Sequence, residues 1–301
     1  MELSDLLTFS TVARLGGITR AADELNTVQS NVTQRVKALE AEIGTALFER
    51  HSRGMTLTGA GRRLLPYAQR MAALSREALL AARDDGEPKG PLAIGSMETT
   101  AAVRLPSLLA EFHRRFPQVR LSLRTSTTAE LVAGVLNGSF DGAFVAGPIE
   151  HAELDATVAF CEELVLVTAQ RWKTLAALRA GTSESGPTAL VFRTGCTYRQ
   201  RLEQVFTEFG WPSSARFELG TLDGMIGCVA AGMGVTLLPE MALRNLREDI
   251  VVRPLGTQVT HRRIMACLLQ GAYRSPATDA MLGILHEAVG EHTMARAELA
   301  A

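Results

Sequence analysis

The sequence predicts an α/β protein of two domains, in which a small helical N-terminal domain is joined by a long helix to a larger α/β domain. Three observations lead to this fold class. Hydrophobic residues recur at spacings of three and four through residues 1–83, which is the period of amphipathic helices. A run rich in glycine, proline and charge follows at 84–91 and indicates a hinge. Beyond it, short β-rich runs alternate with amphipathic helices, as in α/β units.

The composition is that of an ordinary globular chain, and its total charge points to no particular partner. Its 301 residues are 47% hydrophobic and 21% charged, with a formal net charge of -1 at pH 7. One hydrophobic core usually serves about 100–200 residues, so the length predicts two domains. The first residues lack the segments of a signal peptide, and the longest nearly apolar run, 225–238, is too short to cross a bilayer. We therefore expect a cytoplasmic protein with no membrane partner.

Neither the cysteines nor the glycine-rich segments predict a metal site or an enzyme. The cysteines are widely spaced, with no pair at zinc-ligand spacing, so we expect no metal and reduced thiols. They are Cys161, Cys196, Cys228 and Cys267. Gly232-Met233-Gly234 lacks the third glycine of a dinucleotide loop, and no nucleophile-elbow, zinc-protease or P-loop motif occurs. No cofactor is expected, and an α/β enzyme with an accessory helical domain is kept only as an alternative.

The first 57 residues are predicted to form three short helices and a hairpin. Ser4, Thr19 and Thr27 are suited to cap the three helices, and the glycines at 16–17 are suited to end the first. Residues 47–57 are typical of a small β-hairpin with a basic tip. The third helix is predicted to bury Val28, Val32, Val36, Leu39 and Ile43.

The outward face of the third helix is polar. It carries Gln29, Ser30, Thr33, Gln34 and Lys37. Amide and hydroxyl groups can read base edges, and a lysine can hold a phosphate or a guanine. A helix, a tight turn and a second helix form the arrangement that fits the DNA major groove. Because a three-helix protein-binding module has the same period, the pattern alone leaves both interpretations open.

A long helix is predicted from Thr58 to about Arg83. Seven arginines between 50 and 83 suit phosphate neutralisation, although a solvated helix face has the same composition. A narrow apolar stripe along the helix is typical of pairing with another helix. Packing within one chain is the alternative, but it would leave much apolar surface wet. The stripe comprises Leu65, Ala72 and Leu79, with Ala68, Ser75 and Ala82 between them.

The N-terminal segment closely resembles the helix-turn-helix of LysR-type transcriptional regulators. The matching runs are AADELNTVQSNVTQRVKALE at 21–40, EIGTALFER at 42–50, RGMTLTGAG at 53–61 and LLPYA at 64–68. The order of the later α/β elements also fits, so the resemblance covers nearly the whole chain. One departure lies at 28–33, where VQSNVT stands in place of the common Ser-Gln-Pro-Ala-Val-Ser. This departure bears on which operator sequence the helix recognises, and not on how the helix docks on DNA.

The resemblance implies a domain organisation. It comprises a winged helix-turn-helix at 1–58, a dimerising linker helix at 59–84, a hinge at 85–90, an effector domain at 91–292 and a tail at 293–301. The effector domain is expected to consist of two Rossmann-like α/β subdomains, similar to type 2 periplasmic binding proteins. Subdomain I would be 91–162 plus 268–292, and subdomain II 163–267. Asp141 is similar to an aspartate that the family commonly carries before a strand, and we interpret it as structural.

The same resemblance implies the partners. They are double-stranded promoter DNA on the nucleoid, a small-molecule effector, a second copy paired through the linker helices, and further copies that complete a homotetramer. RNA polymerase is an additional candidate. The residues expected to contact DNA are Thr27, Gln29, Ser30, Asn31, Thr33, Gln34, Arg35 and Lys37 on the third helix, and Arg50 and Arg53 on the hairpin.

Four loops of the C-terminal domain are expected to meet in a cleft between the subdomains, beyond the carboxyl ends of strands. Their hydroxyl and amide groups suit a small, polar, anionic ligand, although each hydroxyl could equally cap a helix. Val145 and Ala146 are expected to line a wall. The loop residues are Ser96, Met97, Glu98, Thr99 and Thr100; Thr125, Ser126 and Thr127; Arg193, Thr194, Gly195, Cys196, Thr197 and Tyr198; and Thr221 and Leu222.

Cys196 carries a second functional hypothesis. It precedes a predicted helix and lies between Arg193 and Arg199. A helix N-terminus and nearby guanidinium groups favour a thiolate, and a reactive thiol would make the protein a redox-sensing transcription regulator. A small, inert residue that lines the pocket is the other interpretation.

The secondary structure of the C-terminal domain is predicted from the same patterns. The predicted strands are 92–95, 120–125, 142–145, 164–168, 189–192, 215–218, 234–238, 250–254 and 263–269, and the predicted helices are 102–115, 127–137, 198–209, 222–231 and 277–289. The tail from about residue 291 is expected to fray.

Overall fold

The protein divides into two compact units. The computed structural model describes residues 1–51, 54–172, 174, 178, 186–211, 215–243, 249–256, 263–271 and 273–298. The N-terminal unit is Met1–Asp85 with Leu136–Ser139, and the C-terminal unit is Gly86–Val135 with Phe140–Ala301. No helix in these ranges is long and apolar enough to cross a membrane.

The N-terminal unit is a three-helix cluster with a hairpin and a long helix. Its elements are α1 (Leu3–Leu15), α2 (Ile18–Glu24), α3 (Gln29–Ile43), β1 (Phe48–His51), β2 (Gly54–Leu57) and α4 (Gly59–Ala82). The core is built from the inward positions of α1 and α3, because residues three and four apart share one helix face. Leu6, Phe9, Val32, Val36 and Leu39 are fully buried in it.

Two of the predicted inward positions on α3 are wrong. Val28 is 64% exposed, and Ile43 is exposed as well. Val28 precedes the helix as its extended N-cap, and Ile43 is the last helical residue before Gly44. The helical period therefore no longer directs either side chain toward the core.

The three predicted hydroxyl caps are also wrong, whereas the predicted glycine terminus of α1 is confirmed. Helices α1, α2 and α3 have Glu2, Gly17 and Val28 as N-caps, none with a side-chain capping bond. Gly16 and Gly44 end α1 and α3 in the left-handed conformation, at φ values of 67° and 77°, which glycine adopts without steric cost.

The hairpin is docked on the end of α1. Strands β1 and β2 pair antiparallel, from Phe48 opposite Leu57 to His51 opposite Gly54. The Met55 amide donates to the Gly16 carbonyl at 3.0 Å. Gly54 has a φ of 128°, and a Cβ there would lie 2.6 Å from the Gly16 oxygen. Only glycine fits this approach, so the hairpin position depends on residue 54.

The predicted apolar stripe of α4 is partly buried within the chain, and a second apolar row is exposed on the same helix. Leu65 and Ala68 of the predicted stripe pack into the core of the N-terminal unit, while Leu79 is exposed. The large apolar side chains that remain exposed at helical spacing are Tyr67 at 65%, Met71 at 43% and Leu74 at 63%. The start of the predicted stripe is therefore buried within the N-terminal unit, and the row of Tyr67, Met71 and Leu74 is exposed on another face of the helix.

The C-terminal unit follows the predicted alternation of strands and helices. Its elements are β3 (Gly90–Ser96), α5 (Glu98–Val103), α6 (Leu105–Arg115), β4 (Val119–Thr125), α7 (Thr128–Leu136), β5 (Gly142–Gly147), β6 (Asp155–Ala169), β7 (Ala189–Val191), α8 (Thr197–Glu208), β8 (Arg216–Glu218), α9 (Leu222–Ala230), β9 (Thr236–Pro239), a 3₁₀ turn (Glu240–Leu243), β10 (Ile250–Pro254), β11 (Arg263–Gln270) and α10 (Pro276–Glu298).

A long strand connects two lobes of this unit. The main sheet has the order β10-β6-β11-β5-β3-β4, with β9 also paired to β6. The first part of β6 pairs with β11, and its last part pairs with β9 and β10. We call β3, β4, β5, β11 and helices α5, α6, α7 and α10 lobe I. Lobe II contains β7–β10 and helices α8 and α9.

Three element predictions for this unit are corrected. The predicted helix at 102–115 is two helices, because the chain breaks at Arg104 and Pro106 stands in the first turn of α6. Strand β6 begins at Asp155 rather than 164, since its first half has mixed exposure and no clear apolar run. Helix α10 continues to Glu298, beyond the expected start of the frayed tail.

Candidate nucleic-acid interface and ligand cleft

The outer face of α3 presents polar side chains that are free to bind a partner. Gln29, Ser30, Gln34 and Lys37 are exposed and Thr33 is half-buried. None of these five forms a side-chain hydrogen bond or ion pair within the described ranges. The opposite face of α3 is fixed in the core, so the core determines which way the polar row points.

Three other predicted contact residues are engaged within the unit. Arg35 donates to Ser4 Oγ and, at 3.0 Å, to Asp5 Oδ1, which ties α3 to α1. Asn31 Nδ2 donates to Thr27 Oγ1 at 2.9 Å. These bonds can hold the helix in register, and the DNA contacts predicted for Thr27, Asn31 and Arg35 stay predictions.

The hairpin is clamped to α3 by a carboxylate that sequence reasoning missed. Glu40 Oε1 accepts from the Leu47 amide at 2.8 Å and from the Phe48 amide at 3.2 Å. The sequence gives little indication of this role for Glu40, because a glutamate near a helix end usually faces solvent. Arg53 and the side chain of Arg50 lie outside the described residues.

The C-terminal unit contains a cleft between its two lobes. Its cavity is about 130 Å³. Because β3 and β4 are parallel neighbours, the loops at their carboxyl ends open at one edge of the sheet, where ligands bind in α/β proteins. The lining residues are Met97, Glu98, Thr99, Thr125, Ser126, Thr127, Thr128 and Glu130 from lobe I, and Phe192, Arg193, Cys196, Tyr198, Leu219 and Gly220 from lobe II.

About half of the predicted ligand residues line this cavity. Those that do are Met97, Glu98, Thr99, Thr125, Ser126, Thr127, Arg193, Cys196 and Tyr198. Those that do not are Ser96, Thr100, Val145, Ala146, Thr194, Gly195, Thr197, Thr221 and Leu222. The lining residues that sequence reasoning missed are Thr128, Glu130, Phe192, Leu219 and Gly220.

Several of the predicted ligand residues that do not line the cavity have structural roles instead. Ser96 is fully buried and donates to the Met97 carbonyl at 3.0 Å. Val145 and Leu222 belong to the hydrophobic core. Thr221 caps α9 by accepting from the Gly224 amide. This capping is the alternative that the sequence left open for each hydroxyl.

Hydroxyl groups join the two lobes beside the cavity. Thr99 Oγ1 donates to the Tyr198 hydroxyl at 3.0 Å, and both side chains are buried. Thr197 Oγ1 donates to Thr128 Oγ1 at 3.3 Å. Each bond links a helix of lobe I to α8 of lobe II, so the two bonds hold one lobe against the other beside the cavity.

The charged groups of the cavity differ between the lobes. Lobe I contributes the carboxylates of Glu98 and Glu130, and lobe II contributes the guanidinium of Arg193. Glu130 accepts from Ser126 Oγ and from the Thr127 amide, which lowers the pKa of its carboxyl, and Arg193 lowers it further. Glu98 and Arg193 form no side-chain hydrogen bond or ion pair within the described ranges.

The environment of Cys196 opposes the predicted thiolate. Burial raises the pKa of the thiol, and the nearby Arg199 and the backbone amides of Tyr198 and Arg199 lower it by less. A buried thiol is less nucleophilic at neutral pH because it is protonated. The geometry therefore favours the inert, pocket-lining interpretation.

Two acidic residues outside the cavity are structural. Asp141 Oδ2 accepts from the Ala93 amide at 2.7 Å, while the Asp141 amide donates to the Ala93 carbonyl at 2.8 Å. Glu162 forms a two-bond ion pair with Arg104, at 2.7 and 3.1 Å. Within the described residues, no group of three histidine, cysteine or acidic side chains is placed to hold a metal.

Comparison with known proteins identifies the family. The family model described as the bacterial regulatory helix-turn-helix protein, lysR family, matches residues 3–62, and that of the LysR substrate binding domain matches residues 85–290. The chain belongs to the LysR family. It is a LysR-type transcriptional regulator with a DNA-binding helix-turn-helix and an effector-binding domain, and not an enzyme.

Relatives and solved structures agree with this LysR assignment. The chain is 45% identical to the HTH-type transcriptional regulator YofA of Bacillus velezensis over 284 residues, covering 94% of this chain and 96% of that one. It is 41% identical to GltR of Bacillus subtilis over 253 residues, covering 84% of each. Full-length OxyR from Pseudomonas aeruginosa superposes with a TM-score of 0.69 at 23% identity, covering 95% and 94%. CbnR complexed with its target DNA gives 0.63 at 24%, covering 95% and 99%. The predicted fold class is confirmed.

Proposed function

We propose that this LysR-type regulator reads promoter DNA through the exposed face of α3, and that a small molecule in the cleft changes its operator binding. The observation that carries the first part is a row of polar side chains that have no hydrogen-bond partner among the described residues and lie on a helix whose other face is fixed in the core. Gln29 and Gln34 suit adenine edges, the hydroxyls of Ser30 and Thr33 suit either base type, and Lys37 suits a phosphate or a guanine.

The proposed assembly is a homodimer formed through α4 and a homotetramer built from two such dimers. The exposed apolar row of Tyr67, Met71 and Leu74 supports pairing, because helices with residues at spacings of three and four pack along that seam. We assign the winged helix to 1–58, the linker helix to 59–84, the hinge to 85–90 and the effector domain to 91–292. We also propose that the protein acts on the nucleoid and contacts RNA polymerase there.

The proposed regulation is a population shift. A ligand that bridges lobe I and lobe II has different affinities for open and closed clefts, and only such a difference can move an equilibrium. Closing the cleft would change how the assembled subunits present their α3 helices to DNA. DNA bending adds a sequence-dependent cost to that change.

The experiment is a gel shift with DNA from immediately upstream of the gene, at several salt concentrations. Lys37→Ala is compared with Arg120→Ala, an exposed basic residue of the C-terminal unit. We expect specific, salt-sensitive binding that Lys37→Ala weakens and Arg120→Ala does not, because each phosphate contact contributes to the salt dependence. If no specific fragment emerges from this DNA or from a genome-wide binding selection, the proposal fails.

A further inference from the structure

The charged side chains of the cleft indicate which class of ligand it binds. This inference rests on the proposed effector role of the cleft. A purely anionic ligand, which the loop hydroxyls alone suggest, would meet the carboxylates of Glu98 and Glu130 as well as the guanidinium of Arg193. Like charges at close range repel, and the repulsion grows when closure of the cleft removes water from these exposed and half-buried groups. The cavity therefore does not suit a simple anion.

A purely cationic ligand fits no better. It would meet the guanidinium of Arg193, which acts electrostatically on Glu130 but forms no side-chain hydrogen bond or ion pair in the described ranges. Arg193 lies over the backbone of Gly220, where a Cβ would approach the guanidinium to 3.4 Å. This contact places the cation at the lobe II wall, whereas both carboxylates belong to lobe I.

The two carboxylates of lobe I differ in whether they already form hydrogen bonds. Glu130 is already bonded to Ser126 and Thr127, so its carboxylate serves the loop that begins α7. Glu98 stands in the first turn of α5 and has no partner within the described residues. Within the described residues, Glu98 and Arg193 are thus the carboxylate and the guanidinium of this cavity that form no hydrogen bond or ion pair, and they belong to different lobes.

We propose that the cleft binds a small α-amino acid as its zwitterion, with the ammonium at Glu98 and the carboxylate at Arg193. Such a ligand bridges the lobes and pairs both charges when closure removes water, whereas an unpaired buried charge is costly. Hydroxyls of Thr99, Thr125 and Ser126 complete the polar shell.

The size and the apolar lining restrict the side chain of that amino acid. The cavity of about 130 Å³ is small beside the roughly 300–1,000 Å³ of typical ligand pockets. Met97, Phe192 and Leu219 provide the apolar part of the wall. A short aliphatic or hydroxyl-bearing side chain fits this space better than an aromatic or a long charged one.

The test is calorimetric titration of the full chain with each standard amino acid, its des-amino carboxylate and its decarboxylated amine. At least one small amino acid is expected to bind, with both analogues weaker by about tenfold or more, because each loses a charged hydrogen-bonded pair. A carboxylate or an amine that binds as tightly as its amino acid overturns the proposal.

Two variants separate the charges. Glu98→Gln is expected to weaken amino-acid binding by about tenfold while leaving the affinity for the des-amino carboxylate unchanged, since only the ammonium loses its partner. Arg193→Gln is expected to weaken both, and Arg193→Lys to restore part of the affinity. Glu150→Gln and Arg120→Gln are matched controls at exposed positions. If Glu98→Gln weakens amino acid and carboxylate equally, the ammonium assignment is wrong.

Operator binding distinguishes this proposal from the proposed function. If wild-type protein binds its operator specifically but binds no amino acid, the ligand class is rejected and the regulator stands. If specific operator binding is absent, the proposed function itself fails.

Discussion

The hydroxyl of Thr99 in lobe I donates a 3.0 Å hydrogen bond to the hydroxyl of Tyr198 in lobe II, and both residues are almost completely buried. Burial also raises the pKa of the Tyr198 phenol, so the acceptor stays neutral throughout the physiological range. The bond therefore links the lobes without a charge, next to the cavity that Thr99 and Tyr198 both line.

Tyr198→Phe is expected to destabilise the C-terminal unit by about 1 kcal/mol. The buried Thr99 hydroxyl would lose its acceptor, and an unsatisfied buried donor costs about that much. Urea unfolding measures the effect. Tyr67→Phe is the matched control, because Tyr67 is exposed and its hydroxyl forms no hydrogen bond with the described residues. Equal effects of the two substitutions would show that the bond between the lobes contributes nothing.

Glu162→Gln is expected to destabilise the protein by about 3 kcal/mol, because it leaves Arg104 as an uncompensated buried charge. The Arg104 and Glu162 side chains are only 12% and 7% exposed. Glu111→Gln is the control, since Glu111 pairs with Arg114 and Arg115 at the surface, where ion pairs contribute less than about 1 kcal/mol. Urea unfolding in which both variants lose the same stability would contradict the role of burial.

Gly54→Ala is expected to cost more stability than Gly86→Ala. Both glycines have positive φ, but a Cβ at 54 meets the Gly16 oxygen at 2.6 Å, whereas one at 86 meets nothing within 4 Å. Gly86→Ala should therefore cost about 1 kcal/mol for its backbone conformation alone. Thermal unfolding of the two variants measures the difference, which is the cost of displacing the hairpin. Identical midpoints would mean that the hairpin shifts freely.

Alkylation by iodoacetamide should be faster at Cys161 than at Cys196. Cys161 is exposed, and burial raises the pKa of Cys196, so its thiolate fraction at any pH near neutrality is smaller than that of a free cysteine. The Cys196 rate should keep rising as the pH passes the ordinary cysteine pKa. Peptide mass spectrometry over a pH series measures both rates. Faster reaction at Cys196 at pH 7 would revive the redox-sensor hypothesis.

Leu74→Glu is expected to reduce the dimer population, whereas Leu79→Glu should not. Both leucines are exposed on α4, but only Leu74 lies on the apolar row with Tyr67 and Met71. Burying a charge in a helix seam is unfavourable. Light scattering coupled to size exclusion gives the mass of each variant. Dissociation by Leu79→Glu alone would instead support the seam predicted from the sequence.

The sequence predicts interior positions of elements better than their ends. Val32, Val36 and Leu39 follow from the helical period, because tertiary packing must bury one face. Val28 and the caps Ser4, Thr19 and Thr27 were wrong because boundaries depend on where the chain enters the core, which local propensity does not encode. The first half of β6 was missed because its exposure is mixed.

The cleft was predicted in part for a similar reason. The loops after β3 and β4 could be found, since polar residues that follow predicted strands mark the ligand edge of a sheet. Thr128 and Glu130 were missed because both belong to helix α7 and reach the cavity only through tertiary packing. The period of a helix shows which residues share a face, but not which cavity that face meets.

The central claim is that the outer face of α3 reads DNA sequence, and fluorescence anisotropy with a selected operator and a scrambled duplex tests it most directly. We expect Gln29→Ala to reduce the preference for the operator by about tenfold, since a base contact contributes about 1–3 kcal/mol of discrimination. Lys37→Ala should weaken both duplexes alike if it holds a phosphate, and Gln118→Ala, an exposed glutamine of the C-terminal unit, should change neither. An unchanged preference in Gln29→Ala, Ser30→Ala and Gln34→Ala would contradict the account.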